Sequence, residues 1–221
     1  MLIVGGLGVA GYLATCLFAG IHPEVVNVGY KPKQPVPFSH KLHAGQLKLD
    51  CRYCHNTVER AGHAAIPPSA TCGNCHGGGR TTGELVDGKM QPGRELGIVH
   101  PESSLLEPVR TSLEDMEKPL QWQRIHNLPD FVYFNHSVHV KRGVSCVSCH
   151  GRIDQMDVVQ QMEPLSMKWC LDCHRNPEPN LRDPALVTQL DLVIENPEEN
   201  GKMWKEKLNI NPNVSCSTCH R

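Results

Sequence analysis

The chain has 221 residues, a formal net charge of −1, 5% aromatic residues, 17 Pro and 19 Gly. Balanced charge gives no footing for a nucleic acid partner, and none is expected. So few aromatic side chains are thin material for a protein-only core at this length.

Residues 1–21 contain no charged side chain. A run of about 20 apolar residues is the length that crosses a bilayer as a helix. Gly5, Gly6, Gly8 and Gly11 suit close packing against another helix in lipid. A basic n-region and a small-x-small cleavage site are both missing, which favours a retained anchor over a cleaved leader. Cys16 is the one cysteine outside the repeated motifs described below. Leu13-Ala14-Thr15-Cys16 has the look of a lipoprotein cleavage site, but Thr15 departs from the small residue usual there. Cys16 is read as a small apolar residue of the anchor. Residues 22–37 read as a linker.

The remaining ten of 11 Cys fall into five copies of Cys-x-x-Cys-His. They are Cys51, Cys54, His55; Cys72, Cys75, His76; Cys146, Cys149, His150; Cys170, Cys173, His174; and Cys216, Cys219, His220. The pattern is a c-type haem attachment site. Two thiols add to the two vinyl groups of one haem, and the next residue presents its imidazole to the iron as proximal ligand. A disulfide framework does not explain a His after each second Cys. Structural zinc would pair two motifs into one site, and five is an odd number. Five covalently bound haem c groups are therefore expected, and they would supply the apolar centre.

An internal repeat organises the rest. Phe38-x-His40-x-x-His43 precedes the motifs at Cys51 and Cys72, and Phe134-x-His136-x-x-His139 precedes those at Cys146 and Cys170. Residues 38–80 and 126–175 are thus read as two dihaem modules. Residues 81–125 are a connecting excursion, and residues 176–221 carry the fifth haem. The polar, Gly-rich stretch from Gly77 to Gln121 reads as a surface excursion suited to docking a partner. Asp183-Pro184 reads as the start of a helix running to about Ile194, and a further helix is expected over 197–208. The expected fold is mostly α with much irregular structure: one N-terminal transmembrane helix plus a multihaem domain wrapped around five haems.

Iron with one protein ligand is open to chemistry, whereas iron with two mainly passes electrons. His40, His43, His136 and His139 are the expected distal ligands, because His-x-x-His puts two imidazoles on one helix face. His126 is chosen as the fifth, with His63 as its rival. His100 and His22 rank behind, and Met162 or Met167 would raise the potential of any haem they bound. Arg52, Arg80, Lys141 and Arg175 are candidates to pair with haem propionates.

Phe-x-His-x-x-His with Cys-x-x-Cys-His resembles class III cytochromes, the cytochrome c3 and c7 family. Gln34 to Gly45 followed by Cys51-Arg52-Tyr53-Cys54-His55, Leu128 to His136, and Met167 to Arg175 further resemble the pentahaem cytochrome subunit of alternative complex III. That resemblance implies an electron-transfer subunit of a quinol-oxidising assembly in a respiratory or photosynthetic chain, with no catalytic site of its own. It implies iron–sulfur and integral-membrane subunits as partners, and a monohaem cytochrome c, other carrier or oxidase as acceptor. It also implies the bacterial inner membrane, single-pass, with the haem domain on the periplasmic or outer face. Three other readings compete. A multihaem reductase would keep one haem open. A stand-alone quinol dehydrogenase would hold its first motif close to the helix, whereas about thirty residues separate Ile21 from Cys51. A reaction-centre-type cytochrome would show Met ligands at regular spacing.

Overall fold

The computed structural model describes residues 2–21, 27–79, 81–87, 89–115 and 118–220. Helix α1 runs Leu2–Ile21, 20 residues with no charge at either end. Its side chains are described over residues 6–18, where Leu7, Val9, Tyr12 and Leu17 are exposed. Among the described residues, no helix is long and apolar enough to cross a membrane. The expected span is thus not seen there.

The first Phe-x-His-x-x-His turn leads into a π-helix, Lys41–Gln46. The first motif forms a single turn, α2, Cys51–Cys54, started by Asp50, whose side chain accepts from Arg52 N. Helix α3, Ser69–His76, carries the second motif. An antiparallel hairpin follows, β1 Thr81–Val86 and β2 Lys89–Glu95, with Val86 opposite Lys89 and a bulge between Thr81 and Gly83. Asp87-Gly88 between the strands is the dipeptide that favours such a turn, and Asp87 has φ 51°.

Helix α4, Glu107–Glu114, comes from the stretch expected to be a surface excursion. It packs on α3 instead. Leu113 fills the space beside Gly73, and the hydroxyls of Ser69 and Ser112 lie 2.7 Å apart. Val109 and Leu96 from this stretch are buried. On α4 the apolar contact residues are only Val109 and Leu113, one helical turn apart, and the polar residues between them hide the packed face in the sequence.

Helix α5, His136–Lys141, begins the second repeat and is capped by the side chain of Asn135, which accepts from Val138 N. The third motif ends in α6, Val147–His150, and the fourth lies on α7, Met167–Arg175, capped by Ser166 accepting from Trp169 N. The helix expected from Asp183 is only a 3₁₀ turn, Pro184–Leu186. The chain beyond it is committed elsewhere, since Val187 O accepts from Cys146 N at 3.2 Å and from Ser145 Oγ at 3.1 Å. The later helix is present as α8, Pro197–Lys207. It lies against the turn Glu178–Asn180, with Lys205 Nζ donating to Glu178 Oε1 at 2.6 Å. The fifth motif is again one turn, α9, Cys216–Cys219.

Very little of this is core. Among the described residues the buried apolar side chains are few and scattered, with Val109, Leu181 and Val187 the deepest. The chain exposes 14987 Å². A compact protein of 24.6 kDa would expose roughly 10,000 Å². The motif histidines and eight of the ten motif cysteines are half-buried.

Candidate cofactor centres

Each Cys-x-x-Cys-His motif lies on one helical turn, which puts both thiols on the same side with the His at the turn's end. No two of these cysteines are bonded to one another: all 11 are free. Burial pushes the Cys149 thiol up to about 12 and that of Cys146 up to about 11, so both stay protonated in the polypeptide.

The histidine rings are held by one recurring device. Nδ1 of His55 pairs with Ala65 O at 2.9 Å, that of His76 with Val99 O at 2.8 Å, and that of His174 with Asn213 O at 2.8 Å. Among the expected distal histidines, His43 pairs with Ser39 O at 2.8 Å, His139 with Asn135 O at 2.8 Å, and His136 with Gly62 O at 3.0 Å. Fixing Nδ1 leaves Nε2 free and turned the other way. Metal-bound histidines are oriented in this manner.

The two repeat turns then bring rings together in pairs. His43 and His76 have centroids 6.3 Å apart, His136 and His150 6.3 Å, and His139 and His174 6.2 Å. Two metal–nitrogen bonds of about 2 Å each, plus the half-width of two rings, fill such a gap. His40 joins the same group. Burial first, then the nearby His55 and His43, lower its pKa to about 4. Burial likewise takes His150 to about 3, with His126 and His136 adding to it. A neutral imidazole is the form that offers a lone pair to a metal.

Among the described residues, no group of three or more His, Cys, Asp or Glu could hold a bare metal ion. A haem needs only two protein ligands, because the macrocycle supplies the others, and paired histidines suit it. Arg110 Nη1 and Arg182 Nε are buried with no hydrogen-bond partner. Cys146 adds a favourable influence on Arg182, whose pKa burial lowers. Arg110 already pairs with the Glu107 carboxylate through Nε and Nη2, at 3.1 and 2.8 Å, whereas the Nη1 of Arg182 donates to a neutral carbonyl, Gln189 O.

The remaining candidates are placed as follows. His126 is half-buried, with Nε2 3.3 Å from His150 Nδ1. His220 stacks on Phe131 at 5.8 Å and bridges to Val132. His63 is exposed, and its carbonyl accepts from Thr57 Oγ1. His100 is exposed with φ 53°. Met162 lies beside Gly151 and accepts from Gln160 Nε2, and Met167 is exposed. His22 and Arg80 lie outside the described residues. Arg52 is already engaged by Asp50 and Glu59, while Lys141 and Arg175 are exposed.

Contacts between motifs fix their order in space. Asn74 Nδ2 donates to Tyr53 OH at 2.7 Å, joining the second motif to the first. Thr188 Oγ1 donates to Asp50 Oδ2 at 3.2 Å while the preceding Val187 holds Cys146, joining the first to the third. His136 and His139 sit one helical turn apart and face His150 and His174, which joins the third to the fourth. Asn213 O accepts from His174 while Asn213 Oδ1 accepts from Ser215 N, next to Cys216, joining the fourth to the fifth. The spatial order is second, first, third, fourth, fifth. Cys75 at one end and Cys216 at the other are the exposed motif cysteines, and the rest are half-buried.

The family cytochrome c7 and related cytochrome c matches residues 36–92 and 132–221. The chain belongs to that family. The match covers both repeats and the fifth motif, and leaves out most of the hairpin-to-α4 region. The family carries covalently bound haem c, and the chain is a multihaem electron-transfer cytochrome. A relative in Nitratidesulfovibrio vulgaris, described as the multiheme cytochrome c subunit of menaquinone reductase, is 27% identical over 118 residues. That alignment spans 53% of this chain and 46% of the relative, so the chain matches about half the relative's length.

Proposed function

We propose that the chain holds five haem c groups and serves as an electron-carrying subunit of a membrane quinone–quinol oxidoreductase complex. The observation that carries this is the pairing of histidine rings at 6.2–6.3 Å by two matching Phe-x-His-x-x-His turns. Cys51, Cys54, Cys72, Cys75, Cys146, Cys149, Cys170, Cys173, Cys216 and Cys219 would form the thioethers. His55, His76, His150, His174 and His220 would bind the iron from one side, and His40, His43, His136 and His139 from the other at four centres. Haem supplies reversible one-electron chemistry at each site. The polypeptide would set the order of the sites and orient six of the rings by a backbone carbonyl at Nδ1.

The quinone link is supported by the printed description of the Nitratidesulfovibrio relative, and by the resemblance to the pentahaem subunit of alternative complex III. In that setting an iron–sulfur subunit would meet one end of the row, and a monohaem cytochrome c, other carrier or oxidase the other. In the same reading, the uncharged N-terminal run of residues 1–21 would hold the chain against the membrane subunits of the complex, with the haem domain on the periplasmic side of the inner membrane. The relative's description as a reductase supports the opposite flow, toward the quinone, on the same architecture.

Purification of the full chain with its partners, with haem per polypeptide counted by mass spectrometry and electron paramagnetic resonance of the oxidised complex, tests the reading. Five haems with low-spin signals, reduced by a quinol analogue, are expected. Fewer than five, or a stoichiometric high-spin signal that shifts with nitrite, would overturn it in favour of a reductase. Electron input from a low-potential donor with net quinone reduction would reverse the direction.

A further inference from the structure

His150 differs from the other motif histidines in what holds it. His55, His76 and His174 turn Nδ1 to backbone carbonyls, whereas His150 turns Nδ1 to another imidazole. The His126 and His150 rings are nearly perpendicular, at 81°, with centroids 4.4 Å apart. That is an edge-on approach of two rings with Nε2 of His126 3.3 Å from Nδ1 of His150, a hydrogen bond whose direction is set by which nitrogen carries the proton. The segment that brings His126 there has no regular structure. It is fastened instead by a reciprocal amide pair, in which Gln123 N donates to Gln34 Oε1 at 2.9 Å and Gln34 Nε2 donates to Gln123 O at 3.0 Å. His136, whose ring lies nearly parallel to that of His150 with centroids 6.3 Å apart, has its own Nδ1 committed to Gly62 O. The three rings have separate tasks.

We propose that His126 is a positioning residue for the third centre: its Nε2 accepts the Nδ1–H of His150 and sets the orientation and donor strength of that proximal imidazole. The inference rests on the haem reading above, because only a His150 bound to iron through Nε2 must carry its proton on Nδ1. His126 then accepts at Nε2 and keeps its own proton on Nδ1. An imidazole nitrogen is a more basic acceptor than a peptide carbonyl. It draws harder on the His150 N–H, strengthens donation to the iron, and favours the oxidised state at this centre over its neighbours. The third centre is the middle of the row, so the effect falls where both halves communicate.

The test is a redox titration of the full holoprotein, in its complex, as wild type, His126→Phe and His126→Gln, with haem content counted first. Five haems in the wild type secure the haem reading independently of the outcome for His126. In His126→Phe, one of the titration steps is expected to shift toward reduction by about tenfold in its equilibrium constant, about 59 mV for a one-electron couple. The other steps should stay in place and all signals should remain low-spin. His126→Gln restores an acceptor and should recover most of the shift. Unchanged potentials in His126→Phe with five haems retained would overturn the inference. So would a new high-spin signal, which would make His126 an iron ligand.

Discussion

The two Phe-x-His-x-x-His turns repeat one geometry on two different backbones. In the first, Phe38 meets His40 edge-on at 4.8 Å and stacks on His43 at 4.3 Å. In the second, Phe134 meets His136 edge-on at 4.8 Å and stacks on His139 at 4.6 Å. Ser39 and Asn135 occupy the same place: Ser39 Oγ accepts from Leu42 N at 3.1 Å, and Asn135 Oδ1 from Val138 N at 3.4 Å. Yet one turn continues as a π-helix and the other as an α-helix. The phenylalanine and the cap, both upstream of the helix, place the two rings, so the helix type that follows is free to vary. The surroundings also differ. His136 has its Nδ1 paired with Gly62 O, whereas Nδ1 of His40 is buried without a partner. The second turn is built into the interior and the first lies nearer one end.

The largest expected effect comes from removing whole centres. Cys146→Ala with Cys149→Ala should lower holoprotein yield by roughly tenfold, because that centre contacts both the first and the fourth and unfolded chain is degraded. Cys72→Ala with Cys75→Ala removes an end centre and should leave a stable four-haem protein. Haem counting by mass spectrometry separates the two, and equal yields would erase the difference between interior and end.

Next in size are two close approaches. Gly143, with φ +78°, follows the second turn, and a Cβ there would sit 2.1 Å from Arg182 O. Gly45, in the first turn, would place a Cβ 2.2 Å from Asp154 O without a positive φ. Gly143→Ala should cost about 3 kcal/mol from strain and overlap together. Gly45→Ala should cost roughly 2 kcal/mol, from overlap alone. Thermal unfolding of the holoproteins ranks them. The caps should be more alike, since Asn135→Ala and Ser39→Ala each remove one acceptor, worth about 1 kcal/mol. A clear inequality would show that one turn relies on its cap and the other on its packing.

The smallest effect is a pH dependence. Glu178 has its carboxyl lowered below the usual 4.5, chiefly by the hydrogen bond from Lys205. A depressed carboxyl adds stability that is present above pH 4.5 and fades as pH falls through the lower folded value. Lys205→Met should flatten that acid limb and leave the midpoint near neutral pH within about 1 kcal/mol of wild type. An unchanged acid limb would remove the pair from the account.

The haem motifs and the repeat were legible in the sequence because their chemistry demands fixed spacing. The short helices carrying them follow from the same spacing and from caps such as Asp50, Asn135 and Ser166. The packing of α4 on α3 was not legible. It depends on a Leu113–Gly73 fit between segments whose polar residues hide the apolar face. The missing helix after Asp183 had a proper start, but Val187 O is taken by Ser145 and Cys146, about forty residues away. The partner of His126 was equally hidden, because no spacing rule connects an irregular segment to a ring in another element.

On the proposed reading, each repeat keeps its four ligand histidines within its own short stretch: His40, His43, His55 and His76 in one, and His136, His139, His150 and His174 in the other. Everything needed to close a centre pair is therefore synthesised together, within about forty residues. Such local closure is fast compared with long-range pairing. With almost no apolar interior of its own, the chain gains little by collapsing before its cofactors arrive. Maturation can then proceed in instalments, with each repeat setting around its cofactors as soon as it emerges and the C-terminal motif completing the row last.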